Sequence, residues 1–112
     1  MCLEPRIPRP DRTPAALRAA CAVVAPHLLA AYDLAKDQAL AEALEYGSLK
    51  PVHACLNHWA ALIEIERQPE TAEAYHRAEH LAHIATTPDE AREHLTTVSG
   101  IYRAVAEMVR AE

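Results

Sequence analysis

Residues 87–110 read Thr87-Pro88-Asp89-Glu90 and then AREHLTTVSGIYRAVAEMVR, and this stretch decides the fold class. Thr87 supplies an N-cap hydroxyl, Pro88 suits the first helical position where its missing N–H costs nothing, and Glu90 stands at the third position of a capping box. After this start, Ala91, Leu95, Val98, Tyr102, Val105 and Val109 recur at spacings of 4, 3, 4, 3 and 4. That is a 3.5-residue seam over nearly three heptads, with Gly100 off the seam. At 1.5 Å per residue the helix is roughly 36 Å long, more than a small bundle usually needs. Two packings satisfy such a seam. It covers the chain's own helices, or its C-terminal half reaches out to a partner helix or a second copy, through Leu95, Val98, Tyr102, Val105 and Val109.

The same punctuation runs through the rest of the chain. Thr13-Pro14 caps a short helix carrying Ala15, Ala16, Leu17 and Ala20, which Pro26 interrupts. From Pro26 a helix extends to about Tyr46, with Leu28, Tyr32, Ala35, Ala39, Ala43 and Tyr46 in register and Leu29, Leu40 and Leu44 widening the stripe. Gly47 stops it. Ser48 caps a third helix whose buried face is Val52, Cys55, Leu56, Trp59, Leu62 and Ile63. Pro69 opens a fourth, with Glu70 and Glu73 near its positive end and Ala74, Tyr75, Ala78, Leu81, Ala82 and Ala85 as its apolar face.

Composition agrees with this reading. The chain has 112 residues, with 24 Ala and 12 Leu but only 2 Gly and no Phe, so its apolar content comes from helix formers. The expected fold is all-α, a compact bundle of four to five helices, with residues 13–112 forming one domain and a long amphipathic helix at its end. Residues 1–12 alternate Pro5, Pro8 and Pro10 with Arg6, Arg9 and Arg12, which reads as a disordered, Pro/Arg-rich arm outside the core.

Several function classes are excluded or disfavoured. Two glycines leave no P-loop and no dinucleotide fingerprint, and the only serines, Ser48 and Ser99, lie in a cap and on a helix. No apolar run spans a bilayer and no secretory leader is visible, so no membrane role is expected. Cys2, Cys21 and Cys55 are odd in number and widely spaced, which fits a reduced, cytoplasmic protein. A net charge of −5 gives no general attraction for phosphate backbones. The break at Gly47–Lys50 could join a helix-turn-helix, but the exposed positions expected after it, His53, Asn57, Glu64 and Arg67, make a poor groove reader, so DNA binding is not expected.

The chemistry worth weighing is on the fourth helix. His76, His80 and His83 lie along one ridge, at spacings that let neighbours share a metal ion. His76-Arg77-Ala78-Glu79-His80 also fits H-x-x-E-H, in which two histidines hold zinc and the glutamate, here Glu79, acts as base. The ridge points away from the apolar face. It reads first as a solvated surface, second as a site for zinc or a similar divalent ion, and last as a catalytic centre.

Residues Thr13 to about Ala82 resemble an uncharacterised family of short actinobacterial proteins known by a domain-of-unknown-function label. The resemblance rests on Thr13-Pro14-Ala15-Ala16-Leu17-Arg18-Ala19, the segment around Tyr32, the turn Gly47-Ser48-Leu49-Lys50-Pro51-Val52-His53 with Trp59, and Pro69-Glu70 leading to Ala74-Tyr75-His76-Arg77. It departs at Gln68-Pro69, where an Asp cap is usual. It implies a small helical bacterial protein encoded beside a partner, as antitoxin-like proteins are, and it carries over no assigned activity or site. The expected function is a non-enzymatic helical protein–protein interaction module, with an antitoxin-like or other regulatory role and a basic protein partner or a homodimer. The alternative is a metal-binding protein using the His76/His80/His83 ridge.

Overall fold

The computed structural model describes residues 4–111; Met1–Leu3, with Cys2, and Glu112 lie outside the described residues. Five α-helices and no strands are present among them: α1 Pro14–Val24, α2 Leu29–Tyr46, α3 Lys50–Arg67, α4 Pro69–Ile84 and α5 Pro88–Arg110, with a 3₁₀ turn Pro26–Leu28 before α2. The starts and stops follow the sequence signals. Thr13 and Thr87 each accept a hydrogen bond at 3.2 Å from the backbone N–H three residues on. Ser48 Oγ accepts from Lys50 N–H at 3.2 Å, and Gly47, at φ 63°, ends α2 in the left-handed conformation. The capping box at α5 closes one residue early: the Glu90 carboxylate accepts from the N–H and hydroxyl of Thr86 rather than from Thr87.

α3 is the hub. It packs against α1, α2, α4 and α5, while α2 touches only α1, the 3₁₀ turn and α3. The main core gathers Leu17, Ala20, Cys21 and Val24 of α1, Tyr32 of α2, and Leu56, Trp59 and Ile63 of α3. Tyr32 stands edge-on to Trp59, with centroids 5.3 Å apart, and donates its hydroxyl to the Pro14 carbonyl at 2.7 Å.

The hub role overturns part of the helical-wheel reading. Glu64 and Arg67, expected on a solvated face, are buried at 2% and 7% exposure. Arg67 holds both oxygens of Glu64, at 2.7 and 3.1 Å, while Arg9 donates to Glu64 at 3.0 Å and Gln68 at 3.3 Å. Burial opposes the charge on Glu64, but these donors hold its carboxyl below the usual glutamate range.

The expectation of a disordered arm is likewise corrected for residues 4–12, which lie against the bundle and bring Ile7 onto the core. Its arginines find the orphan carbonyls that helix C-termini leave. Arg6 donates through its guanidinium to Val24 O and Val23 O of α1, at 3.0 and 3.2 Å, and through its backbone N–H to Arg67 O of α3, at 2.8 Å. Arg12 bridges Asn57 of α3, at 3.0 Å, and the Val109 carbonyl near the end of α5. Arg67 in turn donates to Ile7 O at 3.1 Å. An extended, proline-rich segment has no internal hydrogen bonds, so its polar groups are available for three helix ends.

Candidate functional site

The histidine ridge is where the spacing puts it, with His76, His80 and His83 all exposed on α4. Its chemistry differs from a metal centre. His76 has both ring nitrogens opposite carboxylates, Nε2 at 2.6 Å from Glu66 of α3 and Nδ1 at 2.9 Å from Glu79. Desolvation favours the neutral ring, but the hydrogen bonds and charges of Glu79 and Glu66 outweigh it and raise the His76 pKa. Carboxylates at both ring nitrogens favour the imidazolium, the form that has no lone pair for zinc. Glu79, the base of an H-x-x-E-H site, is spent on His76. No group of three or more His, Cys, Asp or Glu among the described residues is placed to hold a metal ion.

The α5 seam packs inward, against α3 and α4. Its C-terminal half, which could have reached for a partner, is the more enclosed: Val109 is 3% exposed beneath the arm. Tyr102 meets His58 of α3, with the hydroxyl 2.6 Å from Nδ1. Val98 and Val105 are half-buried, and Leu95, towards the N-terminal end, remains exposed. The seam's length is used in spanning α3 and α4 together. For the helix-turn-helix idea, burial of Glu64 and Arg67 leaves the second helix with still fewer groups to offer a DNA groove.

The unsatisfied apolar surface lies instead on α2. Leu34, Leu40 and Leu44 are 61%, 46% and 87% exposed. At 100° per residue these three and Ala41 fall within one arc of about 120°, opposite the buried Tyr32 and Ala39. Asp33 and Asp37 lie inside that arc and Glu45 at its edge; Tyr46 and Leu49, also exposed, flank the following turn. The helix carries four carboxylates, Asp33, Asp37, Glu42 and Glu45, against one lysine, Lys36. Asp33 is already neutralised by a two-bond pair with Arg18, at 2.9 and 3.0 Å. Among the described residues α2 packs only on α1, the 3₁₀ turn and α3, and α1 reaches this face through Arg18 on Asp33, leaving Leu34, Leu40 and Leu44 exposed.

The sequence contained a signal for it. An apolar stripe that takes in Leu28, Leu29, Leu40 and Leu44 together is too wide for a single buried face, so the two last leucines had to belong to another one. Assigning them to the core was the error. No helix of the described residues is long and apolar enough to cross a membrane, so these leucines are not part of a span.

The model of a family of unknown function, DUF6247, matches residues 5–106. No curated protein and no solved structure matches the chain.

Proposed function

We propose that this chain, which belongs to the family of unknown function DUF6247, is a non-enzymatic protein–protein interaction module that docks a basic amphipathic segment on the outer face of α2. The observation that carries the reading is the Leu34, Leu40 and Leu44 surface, exposed on a helix with an excess of carboxylates. Contiguous apolar surface left open by a folded domain marks interaction sites. Carboxylates around it favour lysine and arginine on the partner and repel a second acidic copy. An antitoxin-like or other regulatory protein, acting on a basic target, is the concrete form of this role. The free thiols of Cys21 and Cys55 support a reduced, cytoplasmic setting.

The test is calorimetric titration with two synthetic amphipathic helical peptides, both with Leu at i, i+3, i+4 and i+7 and with the remaining positions Lys in one and Glu in the other. The Lys peptide binds and the Glu peptide does not, and L40S/L44S abolishes binding while the helical circular dichroism is kept. Equal binding of both peptides, or binding unaffected by L40S/L44S, overturns the proposal. So does concentration-dependent dimerisation lost in L40S/L44S, which assigns the face to a second copy.

A further inference from the structure

A valley of about 660 Å³ runs along the opposite side of the molecule, between α3, α4 and α5. Its volume is within the roughly 300–1,000 Å³ of small-molecule sites. The walls are mostly apolar, formed by Leu62 of α3, Tyr75 of α4, and Val98 and Ala106 of α5. His58 of α3 and Tyr102 of α5, whose rings lie 5.5 Å apart, also line the valley where the two helices meet. A second depression of about 290 Å³ continues past that pair towards Ala54 and Asn57.

The charge along the valley is the reverse of the molecule's. Arg103 and Arg110, two turns apart on α5, both line it, with Glu107 between them. Neither arginine makes an ion pair among the described residues, whereas Arg6, Arg9, Arg12, Arg18, Arg67, Arg77 and Arg92 are all engaged. In a protein of net charge −5 that pairs its other arginines, two open guanidinium groups beside an apolar cleft are a recognition surface for an anion. The Tyr75 hydroxyl, with no hydrogen-bond partner among the described residues, adds a donor at the α4 wall.

We infer that the α3–α4–α5 valley binds a small monoanionic amphipath, an aryl or alkyl carboxylate, with its carboxylate on Arg103 and Arg110 and its apolar body against Leu62, Tyr75 and Val98. One carboxylate fits two guanidiniums with Glu107 nearby; a dianion or a phosphate backbone is opposed by that glutamate and by the acidic surface around it. The site shares no residue with the α2 face, so either is testable without the other.

The probes are 2-naphthoate, its neutral counterpart 2-naphthamide and the cationic 2-naphthylmethylammonium, titrated into isotopically labelled full-length protein and followed by NMR. Saturable shifts with 2-naphthoate, confined to residues of the valley, are expected. The amide binds about tenfold more weakly or worse, and the ammonium compound does not bind, as the loss of a charge-assisted contact requires. R103Q/R110Q reduces naphthoate affinity about tenfold without affecting the amide. A106W, which fills the cleft, removes both. Shifts scattered over the surface, equal affinity for all three probes, or unchanged affinity in R103Q/R110Q overturns the site. Both arginines are exposed, so that variant decides the matter even if A106W fails to fold.

Discussion

The two ends of α3 are finished in opposite ways. At the C-terminal end, Ile63, Glu64, Ile65 and Arg67 are enclosed by the arm and neighbouring helices, and an acid buried there is answered by three donors. At the N-terminal end, where the Gly47 turn joins α2, Leu44, Tyr46 and Leu49 are left in solvent. One end carries charge where apolar residues would be expected, and the other carries apolar residues where charge would be expected. The first arrangement ties the chain to itself; the second leaves surface for another molecule.

The largest expected effect comes from breaking the closed end. Glu64→Ala strands Arg67 in the interior and loosens the arm, at a cost of about 3–5 kcal/mol in chemical denaturation. The Glu64 pKa is depressed in the fold, so its stabilisation is complete above the usual glutamate pKa of about 4.3 and is lost as pH falls through the lower folded value. Glu64→Gln therefore shows a flatter acid limb between these values than the parent. Two histidines give opposite, smaller slopes near neutrality. His58, whose pKa burial lowers, adds stability above its unfolded pKa that is lost as pH falls through the folded value; His76, whose pKa its carboxylates raise against desolvation, adds stability below its unfolded pKa that is lost as pH rises through the folded value. His58→Gln and His76→Gln should thus shift the stability profile in opposite directions near pH 6.5.

At the open end the effects are smaller. An added Cβ at Gly47 meets nothing within 4 Å, so Gly47→Ala pays only for the left-handed backbone at φ 63°, about 1 kcal/mol. A much larger loss would mean that the α2–α3 turn is packed rather than open. Leu44→Ser, on a side chain 87% exposed, changes stability by less than about 0.5 kcal/mol while removing binding of the Lys/Leu peptide. A stability loss like that of Glu64→Ala would show that Leu44 is core after all.

The helices were legible because prolines, threonines and Gly47 punctuate them, and these are local signals. Burial of Glu64 and Arg67 was not legible, because helical period assigns a residue to a face but says nothing of how many neighbours surround that helix. The arm was misjudged for a related reason. Proline and arginine together describe a chain without internal hydrogen bonds, and only the tertiary structure shows that Val24, Arg67 and Val109 offer it carbonyls. His76, His80 and His83 were correctly placed on one exposed ridge, but Glu66, which engages His76, comes from another helix. The valley draws on three helices and has no contiguous motif to read.

The most direct test of docking on α2 is hydrogen exchange of the full chain with and without the Lys/Leu peptide. Protection is predicted over residues 33–49, with α4 and α5 unchanged. Protection centred on residues 91–109, or none over 33–49 at saturating peptide, would contradict it and return the interface to α5 or remove it from the molecule.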